Sequence, residues 1–289
     1  MRILIVLAGI ALTALPLAAQ VPAAVVADPP RDSLHPPRME VLHVPSGGVK
    51  INGVAYVAAG PGPHPVFILL HGLPGNEKNL DLAQAVRRAG WTSVTFNYRG
   101  SWGSPGKFRF ANNLADADAV IAFLKDTANV RRLGLDTTRM VLAGHSMGGW
   151  VTVLTASHHP ELAGAVLLSA ADMGAMAGGR RDRLVRTMAD NMESLAGVTP
   201  ESMADEIRSR GAHWRFADAE PGLAHLPLLV LTANDGLAPM SDSLVVALRA
   251  LGNERITTLH AATDHSWSDR RIELESAVIN WLDALAREP

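Results

Sequence analysis

The chain contains no cysteine in its 289 residues. That excludes disulfides, thiolate nucleophiles and thiolate metal sites. Charge is sparse at 19% of residues, the net charge is −2, and no long basic run occurs, which argues against a nucleic-acid partner. No internal repeat is visible, and no apolar run has the length of a membrane span: the longest candidate, in MRILIVLAGIALTALPLAA, is broken at Pro16. What is abundant is apolar residue, at 48%, enough for a large core. The length suits one large α/β domain or two small ones.

The N-terminus carries a lone arginine, an apolar stretch and then small residues, the layout of a secretory signal peptide over residues 1–19 with cleavage after Ala19. An uncleaved membrane anchor is the alternative. The expectation is a secreted or periplasmic protein with no stable membrane span after cleavage, relying on its core rather than on crosslinks. Residues 20–38, rich in proline, read as an extended linker.

From residue 39 strand-like and helix-like segments alternate. MEVLHV (39–44) and VKINGVAYVA (49–58), separated by PSGG, predict an antiparallel hairpin. Short apolar runs at 64–72, 91–100, 139–146, 164–170, 226–233 and 255–262 predict strands, the innermost buried on both faces. Helices are expected near 80–89, 113–125, 147–158, 241–250 and 270–286. The alternation lapses over 172–222, which reads as a small helical lid insertion. The fold class that follows is α/β: a mostly parallel, doubly wound sheet with an N-terminal antiparallel hairpin.

The segment VLAGHSMGGW (141–150) interrupts this pattern with Gly144, Ser146 and Gly148 at the junction of a predicted strand and helix. That is G-x-S-x-G in the context the motif requires. A sharp turn there strains the serine backbone and crowds its neighbours, and glycines remove the side chains that would collide. A serine that merely caps a glycine-rich turn is the bland alternative.

If Ser146 is a nucleophile, it needs a base, an orienting acid and oxyanion donors. Eleven histidines are available, and the expected order is serine, acid, histidine. His158 and His159 lie at the far end of the following helix, roughly 18 Å away. His213 and His225 belong to or adjoin the insertion, and His260 sits within a strand. His265, in the loop after the last strand, is the first choice. His145, beside the serine, is expected in neighbouring packing. Asp235, beyond the preceding strand, is the favoured acid; Asp242 is the backup, although its place is at the start of the next helix, and Asp264 adjoins His265 too closely to orient it. The oxyanion donors expected are the amides of Met147 and of Leu73 in HGLPGN (71–76). Arg99 is assigned to structural ion pairs. Trp102 is a candidate pocket wall with a core role equally open, and the insertion's methionines are assigned mainly to its own packing.

HGLPG, NYRGSWGSPG, GHSMGG, TAND and DHSW, in that order, resemble the α/β-hydrolase family over about residues 39–286, near its esterase, acyl-peptidase and dienelactone-hydrolase-like branches. The resemblance implies hydrolysis through an acyl-enzyme with no metal or organic cofactor and a small-molecule ester as substrate. The sequence leaves no room for an N-terminal propeller of the prolyl-oligopeptidase kind and lacks the cysteine nucleophile of typical dienelactone hydrolases. Both departures favour a serine carboxylesterase. A peptidase or amidase with the same residues, and a non-catalytic binding protein on the same fold, are the alternatives.

Overall fold

A strand that is apolar on both faces needs cover on both, and each helix between two parallel strands supplies it to one face. The computed structural model describes residues 21–287; the expected signal peptide lies outside the described residues. In chain order the elements are α1 (Ala23–Val26), β1 (Arg38–Ser46), β2 (Val49–Val57), β3 (His64–Leu70), α2 (Leu80–Arg88), β4 (Thr92–Phe96), α3 (Phe110–Lys125), α4 (Thr127–Leu133), β5 (Leu135–His145), α5 (Met147–Ala156), β6 (Gly164–Leu168), α6 (Arg181–Ala189), α7 (Pro200–Arg210), α8 (Phe216–Leu223), β7 (Leu228–Ala233), α9 (Ala238–Ala250), β8 (Ile256–Ala261) and α10 (Arg271–Leu285).

The eight strands form one sheet in the order β1-β2-β4-β3-β5-β6-β7-β8. β1 and β2 pair antiparallel, and β2 joins β4 antiparallel. The remaining strands are parallel. Alternate side chains of β3 show why both faces need cover. Val66, Ile68 and Leu70 enter one core with α3, α5 and the insertion. Phe67 and Leu69 enter the other, with Leu82 and Val86 of α2 and Val278 and Trp281 of α10.

Several boundaries differ from the sequence expectation for identifiable reasons. α3 begins at Phe110 rather than 113, because the Glu206 carboxylate of α7 accepts from the amides of Phe110 and Ala111 at 3.2 and 3.0 Å. That cap comes from 95 residues away in sequence. α4 is an additional helix. Its start and stop are local: Asp126 accepts from the amides of Ala128 and Asn129, and Gly134 closes the helix at φ 66°. Seven residues are too few to show a helical period. α9 starts at Ala238, with Pro239 tolerated in the first turn. Within the segment expected to be extended, α1 is a single helical turn. Arg88 of α2 holds it by donating to the carbonyl of Ala24 at 2.6 Å.

The insertion carries α6, α7 and α8. Asp172 ties both of its ends down, accepting from the amides of Ala175 at 3.0 Å and Phe216 at 3.1 Å. Its methionines pack inward: Met173, Met188 and Met203 are buried. No helix among the described residues is long and apolar enough to cross a membrane.

Candidate active site

The parallel strands all end at one edge, and the loops leaving that edge carry the residues singled out above. β5 delivers Ser146, which has φ 57° and ψ −120° before α5 starts. A positive φ on a non-glycine residue costs about 1–3 kcal/mol unless neighbours enforce it. Here they do. The Ser146 amide donates to Leu168 O at 3.0 Å, and its carbonyl accepts from the amides of Gly149 and Ala171. The glycines are sterically required. A methyl group on Gly144 would run into the Gly148 backbone, one on Gly148 into the carbonyls of Leu70 and His71, and one on Gly149 into Ala170.

The HGLPGN loop lies directly against the serine. A methyl group on Gly72 would stand 2.9 Å from Ser146 Cβ. Leu73 follows Gly72 and is half-buried, while Met147 follows Ser146 and is buried. Leu73 is thus one residue beyond the point of contact and Met147 one residue beyond the serine, where the α5 N-terminus favours negative charge. The loop is braced from within: His71 Nδ1 donates to Gly72 O at 2.7 Å and the ring packs edge-on against Tyr98.

Trp102 has a role that the sequence reading missed. It is 39% exposed, its Nε1 donates to Pro74 O at 2.8 Å, and Lys78 Nζ lies 4.3 Å from its ring. Ser194 of the insertion donates to the same carbonyl at 3.0 Å. Trp102 thus braces the loop over Ser146 instead of filling the core. Arg99 makes the expected structural pair, with Asp116 at 2.6 Å.

β7 ends at Ala233, two residues before Asp235, and β8 ends at Ala261, four residues before His265. His265 Nδ1 donates to Asp235 Oδ2 at 2.7 Å. The Asp235 side chain is 3% exposed and that of His265 38%. Burial pushes the Asp235 carboxyl upward, but the bonds from His265 and from the Leu237 amide outweigh it and hold the group below the ordinary aspartate range. Asp242 lies within α9, and Asp264 caps the turn at Ser268. His260 bonds Thr232 and Asn234 within the sheet.

His145, next to Ser146 in the chain, joins the serine turn to the His265 loop. Its Nε2 donates to the His265 carbonyl at 2.9 Å, and the two rings lie 4.6 Å apart. Among the described residues no hydrogen bond joins the Ser146 hydroxyl to the His265 ring; such bonds commonly tighten only when substrate arrives. Burial pushes the imidazoles of both His145 and His71 down to about 4, so both are neutral at pH 7.

Ser169 and Trp267 belong to the same structure; Trp267 closes the DHSW motif, while Ser169 carried no sequence signal. Trp267 Nε1 donates to Ser169 Oγ at 3.1 Å in full burial. Ser169, Trp267, Trp102 and Ser146 are four of the five non-glycine residues with positive φ among the described residues. Such strain gathered around one set of loops is the signature of a site whose geometry the fold enforces.

A family model described as the alpha/beta hydrolase fold matches residues 65–212, just over half of the chain. An uncharacterised protein of Mycobacterium tuberculosis is 27% identical over 136 residues, 47% of each chain; the chain thus spans about half the length of the curated relatives it matches. Two solved structures share the fold. An esterase of the archaeon Pyrobaculum calidifontis is 18% identical, with 87% of each chain covered and a TM-score of 0.63. A thermostable carboxylesterase cloned from a metagenomic library is 18% identical, with 89% of this chain and 91% of that one covered and a TM-score of 0.64.

Proposed function

The chain belongs to the α/β-hydrolase family, and from that premise we propose that it is a serine hydrolase that cleaves carboxylic esters of small molecules. The observation that carries the reading is the 2.7 Å Asp235–His265 bond beside a serine held at positive φ.

In this mechanism the Ser146 oxygen attacks the ester carbonyl carbon while His265 Nε2 accepts its proton. Asp235 keeps the other ring proton on Nδ1, which leaves Nε2 free as the base, and stabilises the imidazolium that forms. The carbonyl oxygen becomes an oxyanion facing the amides of Leu73 and Met147. His265 then returns the proton to the departing alcohol, leaving an acyl group on Ser146. Water attacks that ester by the same proton route and frees the acid. Glycines at 72, 144 and 148 let the backbone approach closely enough for the oxyanion donors to reach. The esterase and carboxylesterase neighbours favour esters as substrates. The N-terminal segment of residues 1–19 supports export, so the proposed setting is periplasmic or extracellular.

A fluorophosphonate probe tests the nucleophile: one adduct, on Ser146, is expected, and it disappears in Ser146→Ala while the melting temperature stays within a few degrees. No adduct on folded protein would leave only a binding role. p-Nitrophenyl esters run beside aminoacyl p-nitroanilides test the substrate class, and turnover confined to the anilides would replace the esterase reading with an amidase.

A further inference from the structure

Away from the Ser146 edge, at the far end of α5, three side chains converge. His158 Nε2 and His159 Nε2 both point at one oxygen, Asp118 Oδ1 of α3, at 3.0 and 3.1 Å. The three atoms lie within 4.8 Å of one another. The outer nitrogens of both rings are also engaged. His158 Nδ1 meets the Leu154 carbonyl at 2.9 Å, and His159 Nδ1 meets Glu161 Oε1 at 3.1 Å.

That arrangement sets a problem of proton accounting. A carbonyl and a carboxylate only accept, so both Nδ1 atoms carry hydrogen. In the neutral rings each Nε2 then presents a lone pair, and both lone pairs face a carboxylate oxygen that also only accepts. In that tautomer pattern three acceptor atoms converge on one point, with the two ring centroids 4.9 Å apart. A single divalent cation resolves it for all three atoms at once.

We propose that Asp118, His158 and His159 form a zinc(II) site that ties α3 to the end of α5. Zinc bonds of about 2.0–2.1 Å at tetrahedral angles separate neighbouring ligands by about 3.3 Å. The two nitrogen–oxygen spacings, 3.0 and 3.1 Å, are within a few tenths of an ångström of that, and the two Nε2 atoms, within 4.8 Å of each other, close onto the metal. Neutral imidazole with carboxylate, without thiolate, suits zinc. The fourth position falls to water. Leu154 O and Glu161 are the outer acceptors that hold metal-bound imidazoles in their tautomer. Lys125, 2.7 Å from Glu161, fixes that carboxylate in turn. The turn itself presets the histidines: the amides of His158 and His159 donate to Thr155 O and Ala156 O. The site departs from the sequence expectation, which placed no metal in the protein. It is independent of the chemistry at Ser146, and its role is mechanical: it links the helix that starts at the nucleophile to its neighbour.

The test is equilibrium dialysis of the EDTA-treated full chain against zinc chloride, with bound metal measured by atomic absorption. One zinc per chain is expected. His158→Ala/His159→Ala should lose it with an unchanged circular dichroism spectrum. Should the double variant fail to fold, His158→Ala decides alone, since that side chain is 55% exposed. Glu161→Ala should weaken binding by about ten- to a hundredfold. Zinc at a hundredfold excess over its dissociation constant should raise the melting temperature by about 5 °C. No stoichiometric uptake at 100-fold molar excess of zinc, or equal uptake by the His158→Ala variant, overturns the proposal.

Discussion

Acidification should unfold this protein from within its active-site edge, through two histidines that do no chemistry. His71 and His145 are 3% and 4% exposed, and burial lowers each from 6.5 to about 4. Both rings are therefore harder to protonate in the folded chain than in the unfolded one. Between pH 6.5 and about 4 the unfolded chain binds more protons, so stability is fully present above pH 6.5 and drains as pH falls toward 4. At about 1.4 kcal/mol per tenfold change in proton affinity, each ring is worth about 3 kcal/mol across that window, and about 2 kcal/mol of it is gone by pH 5. Two rings thus remove about 4 kcal/mol by pH 5, a large part of a typical stability of about 5–15 kcal/mol. The perturbation that isolates one ring is His145→Gln. Its amide can still donate to the His265 carbonyl but does not titrate. Urea unfolding followed by tryptophan fluorescence at pH 7.5, 6.0 and 5.0 gives the slope of stability against pH. The variant should lose about 1.4 kcal/mol per pH unit of that slope near pH 5. An unchanged slope would refute the assignment of acid sensitivity to His145, and a flat wild-type profile would refute it for both rings.

Other outcomes follow from contacts around the same loops. Under the proposed mechanism, Asp235→Asn should cut turnover of p-nitrophenyl esters by about 10⁴, because His265 loses the partner that fixes its tautomer; steady-state kinetics with unchanged thermal melting check it. Trp102→Phe removes the donor to Pro74 O and should lower kcat about tenfold with little change in KM, since the loop, and not a substrate pocket, loses its brace; a change confined to KM would restore Trp102 as a pocket wall. Gly148→Ala drives a methyl group into the carbonyls of Leu70 and His71. It should abolish probe labelling and cost about 1–3 kcal/mol of stability, read by labelling and denaturant melts together.

The strand series, the doubly wound arrangement and the sharp turn at Ser146 were readable because each depends on local chemistry. Apolar runs of strand length, glycine stops and G-x-S-x-G are written within ten or so consecutive residues. Chain order pointed to Asp235 and His265, and the structure sets them 2.7 Å apart. Other features depend on residues far apart in sequence. Glu206 starts α3 one turn early, and Trp102 and Ser194 meet on one carbonyl of the loop over Ser146. His145, adjacent to the serine in sequence, matters through His265, 120 residues later.

The amino-acid order alone determined which backbone conformations and which apolar faces this chain can adopt, because those follow from sterics and burial within short segments. Only the tertiary structure decided which polar atoms of distant elements share a hydrogen bond, from the brace on Pro74 to the bond between Asp235 and His265. Such bonds form only when the packing of separate elements brings donor and acceptor within about 3 Å, and no short stretch of sequence carries that distance.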